Sequence, residues 1–181
     1  RNTYISCISQ LRRVDTGIDS QQKIIAPRLL YGNQWGYMCP SETPEGGPCG
    51  LVKQLALSAY ITTQCDTLKL EQIVTPFFSP NGKYIVFHNG APIGLTDRVE
   101  IVNTIRQARR VRTISSDVCV SIEDNDIEIW TDSGRVSRPV FVVNNGKLII
   151  QPEKVNDLRD GRLHWEDMFA LGVVENLSVY E

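Results

Sequence analysis

The sequence predicts an α+β fold assembled from small modules, and three observations carry that prediction. Apolar residues fall at helical spacing in some stretches, as at Tyr4, Ile5, Ile8 and Leu11, and alternate strictly in others, as at Val118, Val120 and Ile122. The turn signals Asn89-Gly90 and Asn144-Asn145-Gly146 stand between strand-like runs and point to antiparallel hairpins. Between the helical and alternating patterns lies a block dense in proline and glycine, from Pro40 to Gly50, which suits neither a helix nor a central strand.

Taken in order, Tyr4 to Leu11 reads as a short helix ending at Arg12-Arg13. Residues 15–22 (DTGIDSQQ) are polar and contain a glycine, which predicts an exposed loop. Residues 23–30 (KIIAPRLL) are apolar and β-branched ahead of Pro27 and predict a short extended segment. The block from Pro40 to Gly50 predicts a rigid, non-repetitive turn. After it, Leu51, Val52, Leu55, Ala56 and Ala59 take the spacing of an amphipathic helix.

Composition shifts after Gln64. Residues 84–87 (YIVF) read as a strand leading into Asn89-Gly90, and Thr96 as the cap of a helix whose apolar positions are Val99, Val102, Ile105 and Ala108. The alternating runs at 118–122 and 127–129, joined by the acidic link 123–126, predict a hairpin. Residues 139–143 and 147–150 predict another around Asn144-Asn145-Gly146. Trp165, Met168, Phe169 and Leu171 suggest a last short helix, stopped by Gly172. The chain therefore divides into three modules: a helix-and-loop part at 1–65 and two strand-rich parts at 66–133 and 134–181. Each is near the lower size limit for a stable core, so packing on one another or on a larger body is expected.

Composition narrows the function classes. Hydrophobic residues make up 41% and charged residues 22%, a globular balance that argues against a disordered chain. The net charge of -2 excludes a protein that grips nucleic acid over its whole surface; any such contact is local or shared with other chains. Five cysteines, an odd number with no C-x-x-C pair, support neither a disulfide framework nor a zinc site. Cys39 and Cys49 are expected to be plain thiols in a reducing compartment. No apolar run reaches the ~18 residues of a membrane span. The first residues lack signal-peptide architecture and an initiator Met, so the chain reads as cut from a longer one.

The residues themselves offer few catalytic candidates. Glu42 and Glu45, three apart on the rigid turn, suit an acid/base pair, metal ligands, or caps for backbone donors. With no nucleophile or histidine beside them, capping is the favoured reading. Arg12, Arg13, Lys23 and Arg28 flank the polar loop and suit either phosphate contacts or a solvated face. Arg106, Arg109, Arg110 and Arg112 crowd a helix C-terminus, where cations complement the dipole and no interleaved aromatic offers base stacking. His88 and His164 read as structural, the three tryptophans as core anchors, and Asp132 with Arg135 as a turn ion pair or a ligand contact. No catalytic residue and no metal site is assigned.

A resemblance adds what the chemistry alone does not. Residues 28–57, with Trp35-Gly36, Cys39-Pro40, Glu42-Thr43-Pro44-Glu45-Gly46 and Gly50-Leu51-Val52-Lys53, resemble the fork region of the second-largest subunit of multisubunit DNA-directed RNA polymerases. The downstream segments match in order as well: residues 86–90 (VFHNG) and 131–141 (TDSGRVSRPVF) look like the two external domains of that family. The type looks eukaryotic, archaeal or large-DNA-virus, with compact linkers that lean towards a viral form.

The resemblance implies several things. The stretch contributes to transcription, with Arg12, Arg13, Lys23 and Arg28 at the fork loop beside downstream DNA and Glu42 close to the active centre. Pro40, Pro44, Glu45, Gly46 and Gly50 form the structural turn. The partners are the largest and other polymerase subunits, template DNA with its downstream duplex, and the RNA–DNA hybrid, and no membrane. No cofactor belongs to this stretch; the family's Mg2+ is held by another subunit. The location is nuclear, or cytoplasmic or in the virion for a viral enzyme. Two alternatives stay open: a non-catalytic protein-interaction module, and a free-standing enzyme using Glu42 and Glu45.

Overall fold

Residues 3–181 are described in a computed structural model; Arg1 and Asn2, the start of the expected 1–65 module, lie outside the described residues. The chain divides after Tyr60 into two compact units.

In the first unit the helical spacing near the start gives α1 (Tyr4–Leu11). Its apolar side chains stay exposed, Tyr4 at 83%, Ile5 at 76% and Leu11 at 82%. β1 (Arg13–Asp15) pairs antiparallel with β2 (Val52–Gln54), in the register Arg13–Gln54, Val14–Lys53 and Asp15–Val52. Tyr37, Leu51, Leu55 and Ala59 supply the small apolar core.

Two sequence expectations fail in this unit. The helix expected from Leu51 to Ala59 is instead β2 followed by a turn. Leu51, Leu55 and Ala59 are buried, as the stripe requires, but the backbone finds a ladder partner about forty residues upstream. A helix of nine residues has too little internal cooperativity to compete with such a ladder. Residues 23–30 form no strand; Ala26–Arg28 is a single 3-10 turn with Pro27 in its first positions. Proline has no N–H to give a ladder.

β3 (Tyr60–Ile61) falls at the division. The second unit holds a four-stranded sheet in the order β5-β4-β7-β6. β4 (Tyr84–His88) and β5 (Ala91–Thr96) form a hairpin with an irregularity between Val86 and Phe87. β6 (Cys119–Glu123) and β7 (Asp126–Trp130) form another, and β4 runs parallel to β7. Asn89 and Gly90 take φ of 49° and 79°, the twist a two-residue hairpin turn demands. α2 (Leu68–Val74) and α3 (Glu100–Arg110) contribute Leu70, Val74, Ile101, Val102 and Ile105 to one apolar core with Val86, Val120, Ile127 and Ile129. Val99 is 39% exposed, and Thr96, expected as a cap, is instead buried, accepting from the Arg98 N–H and donating to the Phe77 carbonyl.

β8 (Val136–Phe141) pairs antiparallel with β11 (Val174–Ser178), a partner nearly forty residues on. The second expected hairpin is therefore only the two-residue pair β9 (Val143–Asn144) and β10 (Lys147–Leu148). α4 (Pro152–Arg159) and α5 (Trp165–Ala170) precede β11, and Met168 of α5 is fully buried. Trp130 and Trp165 make ring contacts with Tyr180 and with Phe141 and Phe169. Against the expectation of core anchors, Trp35 is 72% exposed and Trp165, despite its ring contacts, is 43% exposed.

A buried charge cluster ties α3 to the chain end of this unit. Arg109 donates to the Val118 carbonyl at 2.9 Å, to Glu181 at 2.8 Å and to Glu175 at 3.0 Å. Arg110 holds the other Glu175 oxygen at 2.8 Å. Burial alone would raise the Glu175 pKa, but the Arg110 hydrogen bond and the Arg109 charge outweigh it, and the net direction is downward from 4.5. Because the folded state favours the carboxylate, the stabilisation is complete above pH 4.5 and is lost as pH falls through the depressed value. Glu175→Gln is therefore expected to lower stability at pH 7 by on the order of 2 kcal/mol, less than full unpairing of a buried charge because Glu181 still faces Arg109. Urea titrations at pH 7 and pH 3 check it: the gap between wild type and variant should narrow at the lower pH.

Candidate nucleic-acid interface

The four cations expected at the polar loop do not share one environment. Arg12 is the C-cap of α1, and its guanidinium points inward. It donates to the carbonyls of Ala56 at 2.5 Å, Leu57 at 3.3 Å and Ala59 at 2.9 Å. These carbonyls lie in the turn after β2, where no helix or ladder serves them, so a fixed donor is needed.

Arg28 does the same on a larger scale. Its guanidinium reaches the carbonyls of Ile24, Gly47, Cys49, Ser20 and Gln22, at 2.5 to 3.2 Å. One side chain thus stitches the end of the polar loop to the proline- and glycine-rich turn. Five N–H donors in a planar fork make arginine the only residue able to do this.

Arg13 and Lys23 are exposed. Arg13 opens β1 and lines a cavity of about 240 Å3 with Glu42, Thr43, Pro44, Val52, Lys53 and Gln54. Lys53 is not among the sequence candidates, although it ends the Gly50-Leu51-Val52-Lys53 run. It lines this cavity and a neighbouring one of about 100 Å3, as do Glu42 and Thr43. Arg13 and Lys53 thus line one cavity, although the β1–β2 register pairs Arg13 with Gln54 and Lys53 with Val14; no local pattern in the sequence signals this proximity.

Glu42, expected to cap its own turn, accepts a hydrogen bond from the Ser9 hydroxyl at 3.0 Å. Gln54 also bonds Ser9, through its carbonyl and its hydroxyl. The staple across the turn is Thr43, whose hydroxyl accepts from the Gly50 N–H at 2.8 Å and donates to the Val52 carbonyl at 2.9 Å. Glu45 is exposed. Pro40, Pro44, Gly46 and Gly50 occupy non-repetitive backbone, with φ of 83° at Gly46 and 75° at Gly50.

The remaining candidates are structural. His88 bonds the Thr131 hydroxyl at 2.9 Å, and the His164 N–H donates to Asp167 at the start of α5. Arg135 is buried, lies 2.8 Å from the Asp132 carboxylate, and donates to the Asp132 and Asp117 carbonyls. All five cysteines are free thiols. The Ser41 backbone and hydroxyl lower the pKa of half-exposed Cys39, while burial pushes Cys119 up to about 11. Among the described residues no group of three or more His, Cys, Asp or Glu comes together as a metal site, and no helix is long and apolar enough to cross a membrane.

Two family models match the chain: RNA polymerase Rpb2, domain 3, over residues 1–61, and RNA polymerase Rpb2, domain 4, over residues 86–144. Curated relatives align along the whole chain. DNA-directed RNA polymerase II subunit RPB2 of Encephalitozoon cuniculi is 35% identical over 196 residues, covering 100% of this chain and 17% of the relative. DNA-directed RNA polymerase II subunit 2 of Arabidopsis thaliana is 36% identical over 201 residues, with the same coverage. DNA-directed RNA polymerase subunit Rpo2 of Saccharolobus solfataricus is 35% identical over 205 residues, covering 100% of this chain and 18% of the relative. The chain belongs to the family of second-largest subunits of DNA-directed RNA polymerases, of eukaryotic and archaeal type, and corresponds to part of such a subunit. It spans about one sixth of the length of these relatives.

The two positive-φ glycines of the turn separate strain from space. A Cβ at Gly46 meets nothing within 4 Å, whereas one at Gly50 falls 2.6 Å from the Arg28 carbonyl oxygen and 2.7 Å from its Cα. Gly46→Ala is expected to cost about 1 kcal/mol, the left-handed penalty alone. Gly50→Ala should cost clearly more, since it also displaces the Arg28 backbone. Equal midpoints in chemical denaturation would overturn this ranking.

Proposed function

We propose that this stretch works within an assembled DNA-directed RNA polymerase, where it contributes fork-loop contacts to DNA near the active centre. The observation that carries the reading is the placement of Arg13 and Lys23. Both are exposed on either side of the polar loop, in a chain aligned end to end with polymerase second subunits. Arg13, Lys23 and Lys53 contact phosphates, and Arg12 and Arg28 hold the backbone that presents them. Phosphate contacts are blind to sequence, which suits an enzyme that must read any template. Glu42 lies close to the active centre in this reading.

The whole enzyme transfers nucleotides with Mg2+, and another subunit holds the ion; the carboxylates of the described residues do not gather into a cluster that fits it. By itself the chain carries out no nucleotidyl transfer. The second unit comprises two modules, 66–133 and 134–181, linked by the Arg109, Arg110, Glu175 and Glu181 cluster. The partners are the largest and other subunits, the DNA template with its downstream duplex and the RNA–DNA hybrid. The exposed apolar residues Tyr4, Ile5, Leu11 and Trp35 support docking on such neighbours. The location is nuclear for a eukaryotic enzyme, and cytoplasmic or in the virion for a viral one.

The test is a reconstituted polymerase whose full second subunit carries Arg13→Ala and Lys23→Ala. Elongation on a primed scaffold should slow, and its salt dependence should change, because each lost phosphate contact removes about 0.9 from the slope of log affinity against log salt. Arg12→Ala should act differently, lowering the stability of the purified chain. Normal elongation by the Arg13/Lys23 variant at every salt concentration would sink the fork-contact reading.

A further inference from the structure

Away from the polar loop, the second unit has a cavity of about 430 Å3 lined by Asp66, Lys69, Arg112, Thr113, Ser115 and Ser116, together with Ile114. We propose that it is a binding site for a singly presented phosphoryl group, held by Lys69 and Arg112 and by the hydroxyls of Thr113, Ser115 and Ser116.

The first argument is the backbone at Arg112. α3 ends with Val111 as its C-cap, and Arg112 comes next at φ 56°. The Thr113 N–H returns to the Ala108 carbonyl at 2.9 Å and the Arg112 N–H to the Arg109 carbonyl at 3.1 Å. This is a helix stop whose left-handed residue is ordinarily glycine, because a Cβ there costs about 1 kcal/mol. An arginine at this position is a local disadvantage to folding. Its side chain is what the site gains.

The second argument is what the cations do. Arg106, Arg109 and Arg110 on the same helix are all consumed by Glu175 and Glu181. Arg112 makes one long hydrogen bond, 3.4 Å to the Glu166 carbonyl, and no ion pair among the described residues. Lys69 is exposed and likewise unpaired among the described residues. Two cations without an ion pair among the described residues therefore line one cavity, and three of its other polar lining residues, Thr113, Ser115 and Ser116, carry hydroxyls. The Ser115 hydroxyl accepts from the Asp117 N–H at 3.3 Å, which leaves its own proton to donate. The Ser116 hydroxyl lies 3.3 Å from Asp117 Oδ1 and would have to turn from it.

One group opposes an anion. Asp66 lines the cavity, and its carboxylate accepts from the Leu68 N–H at 3.1 Å, which offsets part of its charge. With Asp66 counted, the site carries a single net positive charge. That suits one isolated phosphoryl group and not a nucleic-acid backbone, which needs a row of cations along its track. Arginine's planar fork and lysine's point charge together match a tetrahedral oxyanion.

The experiment titrates inorganic phosphate into the purified chain at constant ionic strength, following the backbone amides of Thr113 to Ser116 by NMR. Saturating shifts with a dissociation constant on the order of 1 mM are expected, the affinity of a small ion held by a few contacts. Chloride at equal ionic strength should leave these amides unmoved. Arg112→Gly is the decisive variant, because it should raise the melting temperature while weakening phosphate by about tenfold. Lys69→Ala should weaken it similarly without the gain in stability. Binding of N-acetyl-phosphoserine amide as tight as that of phosphate would mark a peptide-borne group as the source, and binding of inorganic phosphate alone would mark a free ion; either supports the site. Identical shifts in chloride, or undiminished phosphate affinity in Arg112→Gly, would overturn it. So would an oligonucleotide that binds at these residues with affinity rising steadily with its length.

Discussion

Irregular backbone must find donors for carbonyls that no helix or ladder serves, and in this chain arginine is the donor. Arg12 serves three carbonyls, Arg28 five, and Arg135 those of Asp132 and Asp117. The Ala56 and Ala59 carbonyls served by Arg12 are partly buried, where an orphaned carbonyl costs free energy comparable to a lost hydrogen bond. The Arg28 bonds are exposed and act chiefly by fixing the geometry of the chain they join. The first unit has little regular structure beyond α1 and one short ladder, so its turns depend on these side chains. Gly50 belongs to the same constraint: it lets the Pro40–Gly50 turn approach the Arg28 backbone, and thereby lets the Arg28 side chain reach the Gly47 and Cys49 carbonyls.

This constraint divides positive charge into two classes that composition cannot separate. A cation that satisfies three to five carbonyls is held in place and presents little to a ligand. A cation on an exposed strand end or loop, such as Arg13 or Lys23, has its full charge available. The same division runs through α3, where Arg109 is buried against two carboxylates while Arg112 forms no ion pair at the helix stop among the described residues. Counting basic residues near a loop therefore overstates the charge free for a ligand, since two of the four cations flanking the polar loop, Arg12 and Arg28, are committed to carbonyls.

What is legible in the sequence is local. The hairpin turn at Asn89-Gly90 and that between β6 and β7 have turn residues that themselves tolerate positive φ, with Asn89 at 49° and Asp124 at 52°. The α3 stripe at Val102 and Ile105 reports its buried face directly. What is not legible depends on distant partners. β2 carries a helical pattern because Leu51, Leu55 and Ala59 are buried at helical spacing, yet its pairing strand lies at Arg13–Asp15. β11 and α4 give no local signal strong enough to find them, since β8 pairs across the helices that intervene. At the site, the proline- and glycine-rich turn is legible as non-repetitive backbone, but its staple, Thr43, and its anchor, Arg28, are not. Both act through carbonyls and N–H groups whose need for a partner emerges only when the chain is folded.

The same geometry sets how far the polar loop can act as a movable element. Arg28 fixes the Ser20 and Gln22 carbonyls, and the Thr16 N–H is tied to the Leu51 carbonyl at 3.2 Å. Asp15 and Asp19 make local turns with the Gly17 and Gln21 N–H groups. The span with no tie beyond its own turns, among the described hydrogen bonds, is Gly17 to Asp19, and Gly17 has φ 69° with open space around it. The loop's ties to the rest of the unit thus sit in its two stems and not at its tip. In the proposed fork-contact reading, contact with nucleic acid through Arg13 and Lys23 and steric obstruction by Ile18 are therefore separable properties of this loop.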